Sequence, residues 1–148
     1  MKKHILFGSF QILIFILIPI QANAQETLWE ENGVPIRQGV HIEWQRTVCP
    51  GDNGTAIFVW SDTRYGARNV FAQKIDASGN FLWGNEGAEV TNLSGRQEDP
   101  VAITDGSGGA FIAWVEYRFD EEGDIYIQHV DANGNILMDE EGEALARV

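Results

Sequence analysis

Cysteine, histidine and positive charge are all scarce in this chain. Cys49 is the only cysteine, so no internal disulfide can form and the fold is not a disulfide framework. Three histidines, His4, His41 and His129, stand far apart, with no Ser-His-Asp order and no metal-ligand spacing. Ten Lys and Arg face 22 Asp and Glu. Such a surface repels nucleic acid and anionic membranes. Past residue 20 no long apolar run occurs, which argues against a spanning helix in the body of the chain.

The first 24 residues have a different character. Lys2 and Lys3 precede an apolar run from Ile5 to Ile20, and Ala22-Asn23-Ala24 supplies small residues at the two positions that a signal peptidase reads. This order is that of a secretory signal peptide. The run is 16 residues long, short of the roughly 20 that a membrane-spanning helix needs, and no cysteine follows it for a lipid anchor. The expected mature chain is therefore residues 25–148, secreted or held in the periplasm or envelope, with no membrane contact after cleavage. The leader holds two of the ten basic residues and no acid, which leaves eight against 22 and a net charge of −14.

What is present is a tandem repeat of about 54 residues. Trp29, Trp83 and Met138 open three equivalent segments, each followed four residues later by Gly33, Gly87 or Gly142. Trp60 and Trp114 are 54 apart, as are Arg64 and Arg118. Gln73 and Gln128, and Asp76 and Asp131, are 55 apart, the added residue falling in the loop after the arginine. One full unit spans residues 29–82, a second spans 83–137, and a third begins at 138 and runs to 148. The alignment sets Cys49 opposite Ile103, so Cys49 reads as a small buried hydrophobe rather than a reactive thiol or an intermolecular bridge.

Within each unit the pattern is that of β-strands. Ala56–Asp62 and Ala110–Glu116 are rich in β-branched and aromatic residues. Apolar residues on both faces of these segments predict central strands covered above and below. Asn69–Asp76 and Asp124–Asp131 follow, each placing a glutamine, Gln73 or Gln128, between an aromatic and an aliphatic residue. A buried glutamine needs partners, and tying nearby backbone is its expected role. Asp76-Ala77-Ser78-Gly79-Asn80 and Asp131-Ala132-Asn133-Gly134-Asn135 are hairpin turns that lead to short strands at Phe81–Trp83 and Ile136–Met138. A further strand precedes each central one, at Thr47–Cys49 and Pro100–Thr104. The expected fold is all-β, about four antiparallel strands per unit.

The runs Trp60-Ser61-Asp62-Thr63-Arg64 and Trp114-Val115-Glu116-Tyr117-Arg118, the aromatic-x-Gln pairs and the Asp-x-x-Gly-Asn hairpins resemble β-propeller-like tandem repeats of large secreted bacterial proteins. The resemblance covers nearly all of residues 29–148. It implies two four-stranded propeller-type blades. A closed propeller takes about four to eight, so the propeller is incomplete. The sorting domain with which such proteins often end is absent from this sequence. A truncated reading frame, a degenerate relic and a protomer that closes by association all fit that pattern. Two units leave open faces and edges, which favour self-association.

Trp60, Asp62 and Arg64, and likewise Trp114, Glu116 and Arg118, share one strand face. They could form a carbohydrate platform. Their recurrence in each unit favours a buried tryptophan capped by an acid–arginine pair. Asp131-x-Asn133-x-Asn135 opens like a calcium loop, yet Ile136 and Gly142 stand where that loop needs glycine and glutamate. No metal, cofactor or catalytic residue is assigned. The expected function is a non-catalytic exported module for surface recognition or scaffolding, with a protein or a carbohydrate as partner. The rival is part of a secreted carbohydrate-active hydrolase, which would require acids such as Glu98, Asp99 and Asp120 to converge on a pocket.

Overall fold

The computed structural model describes residues 33–36 and 43–147. The expected signal peptide, Trp29 and His41 lie outside the described residues. The described chain contains eight strands and no helix: β1 (Glu43–Pro50), β2 (Ala56–Tyr65), β3 (Ala67–Ile75), β4 (Ala88–Glu89), β5 (Gln97–Thr104), β6 (Ala110–Glu116), β7 (Asp124–Val130) and β8 (Glu143–Ala146). They form two four-stranded antiparallel sheets, ordered β1-β2-β3-β4 and β5-β6-β7-β8.

The β-branched and aromatic segments become the long inner strands because the pleat sends alternate side chains to opposite faces. Ile57, Val59, Val70 and Ala72 of the first sheet are fully buried against Ile112, Trp114, Tyr126 and Val130 of the second. This inter-sheet layer is the core. The edge strands β1 and β5 meet along it.

Both of these edge strands carry a bulge, and the two correspond. β1 slips register between Trp44 and Arg46, where Gln45 has φ of 31°, and β5 slips between Glu98 and Val101, where Asp99 has φ of 51°. Pro100 has no N–H to donate, so a strand tolerates it at such a bulge. The Gln45 amide oxygen accepts the Asp99 N–H at 3.3 Å, which joins the bulges across the interface.

Two strand expectations differ from the structure. Phe81–Trp83 and Ile136–Met138 do not form the fourth strands. Each region makes a single bridge, Ile75 to Phe81 and Val130 to Ile136. The fourth strands are β4 and β8, several residues further on. Of Phe81–Trp83 it is Trp83 that packs: it is buried, and its indole N–H donates at 3.0 Å to the carbonyl of Ala132, in the hairpin after β7. The residues from Met138 onward, read as the opening of a third unit, supply β8, the edge of the second sheet.

Coverage of the two central strands also differs. β2 is buried on both sides over Val59–Asp62, whereas β6 alternates, with Phe111, Ala113 and Val115 only half-buried. The first sheet has the second sheet lying on this side. On the corresponding side of the second sheet nothing lies above, among the described residues.

Candidate functional site

The acid–arginine runs sit at the ends of β2 and β6. In the first, the Trp60 indole N–H donates to Asp62 Oδ2 at 2.9 Å. Arg64 donates from Nε to both Asp62 oxygens at 3.0 Å and from Nη2 to Oδ2 at 2.6 Å. Its guanidinium lies 3.7 Å from the Phe71 ring centroid, and Nη1 donates to the Glu86 carbonyl at 2.9 Å. Burial pushes the Asp62 carboxyl up. The bonds from Arg64 and Trp60 outweigh that and hold it below the usual carboxylate range.

The second run keeps the capping and changes the pairing. The Trp114 indole N–H donates to Glu116 Oε2 at 3.4 Å, and Gln97 and the Arg118 backbone N–H donate to Oε1 at 3.0 and 3.1 Å. The Arg118 guanidinium turns to Glu141, at 3.0 Å, and lies 5.0 Å from the Tyr126 ring. Burial opposes its charge. Contact with Tyr126 and attraction to Glu116 and Glu141 overcome that and raise its pKa. Glutamate carries one more methylene than aspartate, so its carboxylate reaches past the arginine head to Gln97. Both tryptophans are almost wholly buried, at 5% and 1% exposure. Neither indole face is available as a sugar platform.

The two glutamines do identical work. Gln73 donates to the Gly84 carbonyl at 2.6 Å and accepts the Lys74 and Trp83 N–H groups at 3.0 Å. Gln128 donates to the Asp139 carbonyl at 2.8 Å and accepts the His129 and Met138 N–H groups at 3.0 Å. Each pins the loop leading to the fourth strand. At the hairpins, Asp76 Oδ1 accepts the Ser78 and Asn80 N–H groups and Oδ2 accepts the Asn80 side chain, all within 2.8–2.9 Å. Asp131 makes the same three bonds to Asn133 and Asn135. The asparagine side-chain bonds, then the backbone N–H bonds, lower both carboxyl pKa values. These carboxylates are occupied by the turn, which argues for turn chemistry over calcium ligation.

The acids named for a hydrolase lie apart in their bonding. Glu98 is paired with Arg68 and with Arg96. Asp120 caps its own loop through the Glu122 and Gly123 N–H groups at 3.2 and 3.1 Å. A cleft of about 410 Å³ opens between the outer edges of the sheets, lined by Glu89, Thr91, Ile136, Glu140 and Glu141 among others. Burial pushes the Glu89 carboxyl up, while Glu141 is engaged by Arg118. Among the described residues no group of three or more His, Cys, Asp and Glu is placed to hold a metal ion.

Sequence reasoning passed over Lys74. It lies between the sheets at 4% exposure, donating to the Gly108 carbonyl at 2.8 Å and pairing with Asp52 at 2.6 Å. A lone lysine on the Val70–Ala72 side of an apolar strand was the available signal. Its counterpart on the second sheet, His129, reaches Asp105 at 2.9 Å and stacks on Phe111 at 4.3 Å.

The chain matches no family model, no curated protein and no solved structure.

Proposed function

We propose that this chain is an exported, non-catalytic module of propeller type, whose two sheets are blades and whose task is surface recognition or scaffolding. The observation that carries this reading is the internal use of the recurring acids and glutamines. Asp62, Glu116, Gln73 and Gln128 each spend their hydrogen bonds on neighbouring side chains or loop backbone. Residues so occupied hold a scaffold together and have no acid–base capacity to spare. The net charge of −14 favours a protein or carbohydrate partner over nucleic acid or an anionic membrane. The hydrolase alternative needs two acids facing one cleft. Glu98 bonds to arginines, Asp120 bonds to its own loop, and neither lines the cleft between the sheets, which speaks against the acids named for it. Of the glutamates that do line that cleft, Glu141 is engaged by Arg118, and turnover that disappears in Glu89→Gln would favour the alternative.

The test is expression of the full chain in a Gram-negative host. Intact-mass analysis should find a product beginning at Gln25 in the periplasm or medium, and full-length chain retained in the inner membrane would overturn export. The purified product should leave chromogenic glycosides and polysaccharides uncut. Turnover that disappears in Glu98→Gln would overturn the non-catalytic reading.

A further inference from the structure

Cys49 pairs with Ile57 on β2 and Ile103 pairs with Phe111 on β6, in the same register of their sheets. Cys49 is 4% exposed and Ile103 is 65% exposed. The difference lies in what covers them. The second sheet lies over Cys49, Ile57 and Val59. At the corresponding positions of the second sheet, Ile103, Phe111 and Ala113 face outward, with Val101 exposed beside them. An apolar face of this kind on a soluble chain marks an interaction surface.

The surface that would fit it is also on the chain. The second sheet covers the first with Ala102, Ala110 and Ile112. Fifty-four residues earlier, on the reverse side of the first sheet, stand Val48, Ala56 and Phe58. Val48 is 56% exposed, and Ala56 and Phe58 are half-buried. Each chain thus has two faces of each kind, joins one of each internally, and leaves the Ile103–Phe111 side and the Val48–Phe58 part of the other uncovered, while Trp60, Phe71 and Ile75 further along that second side are already buried within the chain. We propose that a second copy of this chain docks head to tail, its Val48–Phe58 side on the Ile103–Phe111 side of the first, repeating the interface already present within the chain. This rests on the reading of the chain as a module that acts through its sheet faces. The contact is heterologous, so repetition gives a ring if the rotation closes and a filament if it does not.

Sedimentation velocity on the purified exported chain tests it, with Ile103→Glu and Val48→Glu each blocking one open face. Wild type should sediment above the monomer, increasingly so with concentration. Each variant alone should be monomeric, because each has lost one half of the contact. An equimolar mixture should form a one-to-one complex and grow no further, because each variant retains the half that the other lacks. A wild type that is monomeric throughout, variants that still assemble, or a mixture that stays monomeric would each overturn the proposal. Circular dichroism and tryptophan emission verify folding, and Val101→Lys, at another exposed position of the same face, replaces Ile103→Glu if that variant misfolds. Glycoside turnover would defeat the module reading and leave the sedimentation result standing. A monomeric chain without turnover would defeat the docking alone.

Discussion

The ammonium of Lys74 crosses from the first sheet to the Gly108 carbonyl of the second at 2.8 Å, and Asp52 holds it in place at 2.6 Å. The two ends of this link differ in burial. Lys74 is enclosed, while the Asp52 side chain is 41% exposed. Lys74→Ala should therefore cost about 2–4 kcal/mol, from an orphaned buried carbonyl and lost packing. Asp52→Asn should cost markedly less, as water replaces the pair on the open side. Urea unfolding followed by tryptophan emission gives both values. Equal losses would mean that the Gly108 bond contributes little.

Asp62 ties stability to pH. Its carboxyl is pushed up by burial and pulled further down by Arg64 and Trp60, so its folded value lies below its unfolded one. A depressed carboxylate contributes its full stability above the unfolded value of about 3.9 and loses it as pH falls through the folded value. Asp62→Asn should be less stable than wild type by about 1.5–3 kcal/mol at neutral pH, the range for a hydrogen bond to a charged group. The gap should narrow as pH falls below about 4. Comparing the two chains across pH isolates Asp62 from Asp76, Asp105 and Asp131, which are also held low and add to the acid loss of both. A gap that stays constant down the acid range would show that the Asp62 charge contributes nothing.

Gln73→Leu and Gln128→Leu keep the side-chain bulk and remove three backbone bonds each. Both glutamines are fully buried, but the N–H groups of Lys74 and Trp83 that Gln73 accepts belong to buried residues, whereas the corresponding His129 and Met138 are half-buried. Each substitution should cost about 2–4 kcal/mol, with Gln73→Leu the larger, since a buried unpaired group loses its solvation outright. Hydrogen exchange should show the loop and fourth strand opening first in each variant. Protection unchanged at Gly84–Glu89 in Gln73→Leu would remove the pinning role.

The strands that sequence made legible are those whose own side chains form the core. β2, β3, β6 and β7 declare themselves through Ile57, Val59, Ile112, Trp114 and their neighbours. β4 and β8 are only Ala88–Glu89 and Glu143–Ala146, with no β-branched residue between them. Their pairing is set by Gln73 and Gln128 holding the preceding loop, a tertiary cause that local pattern does not carry. The bonds of Trp60 to Asp62 and of Trp114 to Glu116 follow from side chains two residues apart on one strand face, and so could be read in advance. The exposure of Ile103 could not, because it depends on what lies above the sheet. Lys74 was hidden for the same reason: its carbonyl partner is 34 residues away on another sheet.

Gly142 and Gly106 separate two ways in which a glycine can be required. Gly106 has φ of +76°, and a Cβ placed there would meet nothing within 4 Å. Gly142 has φ of +71°, and its Cβ would come within 2.7 Å of both the Ile127 carbonyl oxygen and the Trp114 ring. Gly106→Ala thus suffers the left-handed backbone penalty of about 1–2 kcal/mol, offset in part by the reduced freedom of the unfolded chain. Gly142→Ala bears the same penalty and must also displace an indole that is 1% exposed and tethered to Glu116 at 3.4 Å. Overpacking of that kind adds about 1–3 kcal/mol. Gly142→Ala should therefore be destabilised by at least about 1 kcal/mol more than Gly106→Ala, with a shifted tryptophan emission that Gly106→Ala lacks. Similar losses in both variants would mean that the Trp114 ring yields freely, and the tight seating of β8 against it would have to be given up.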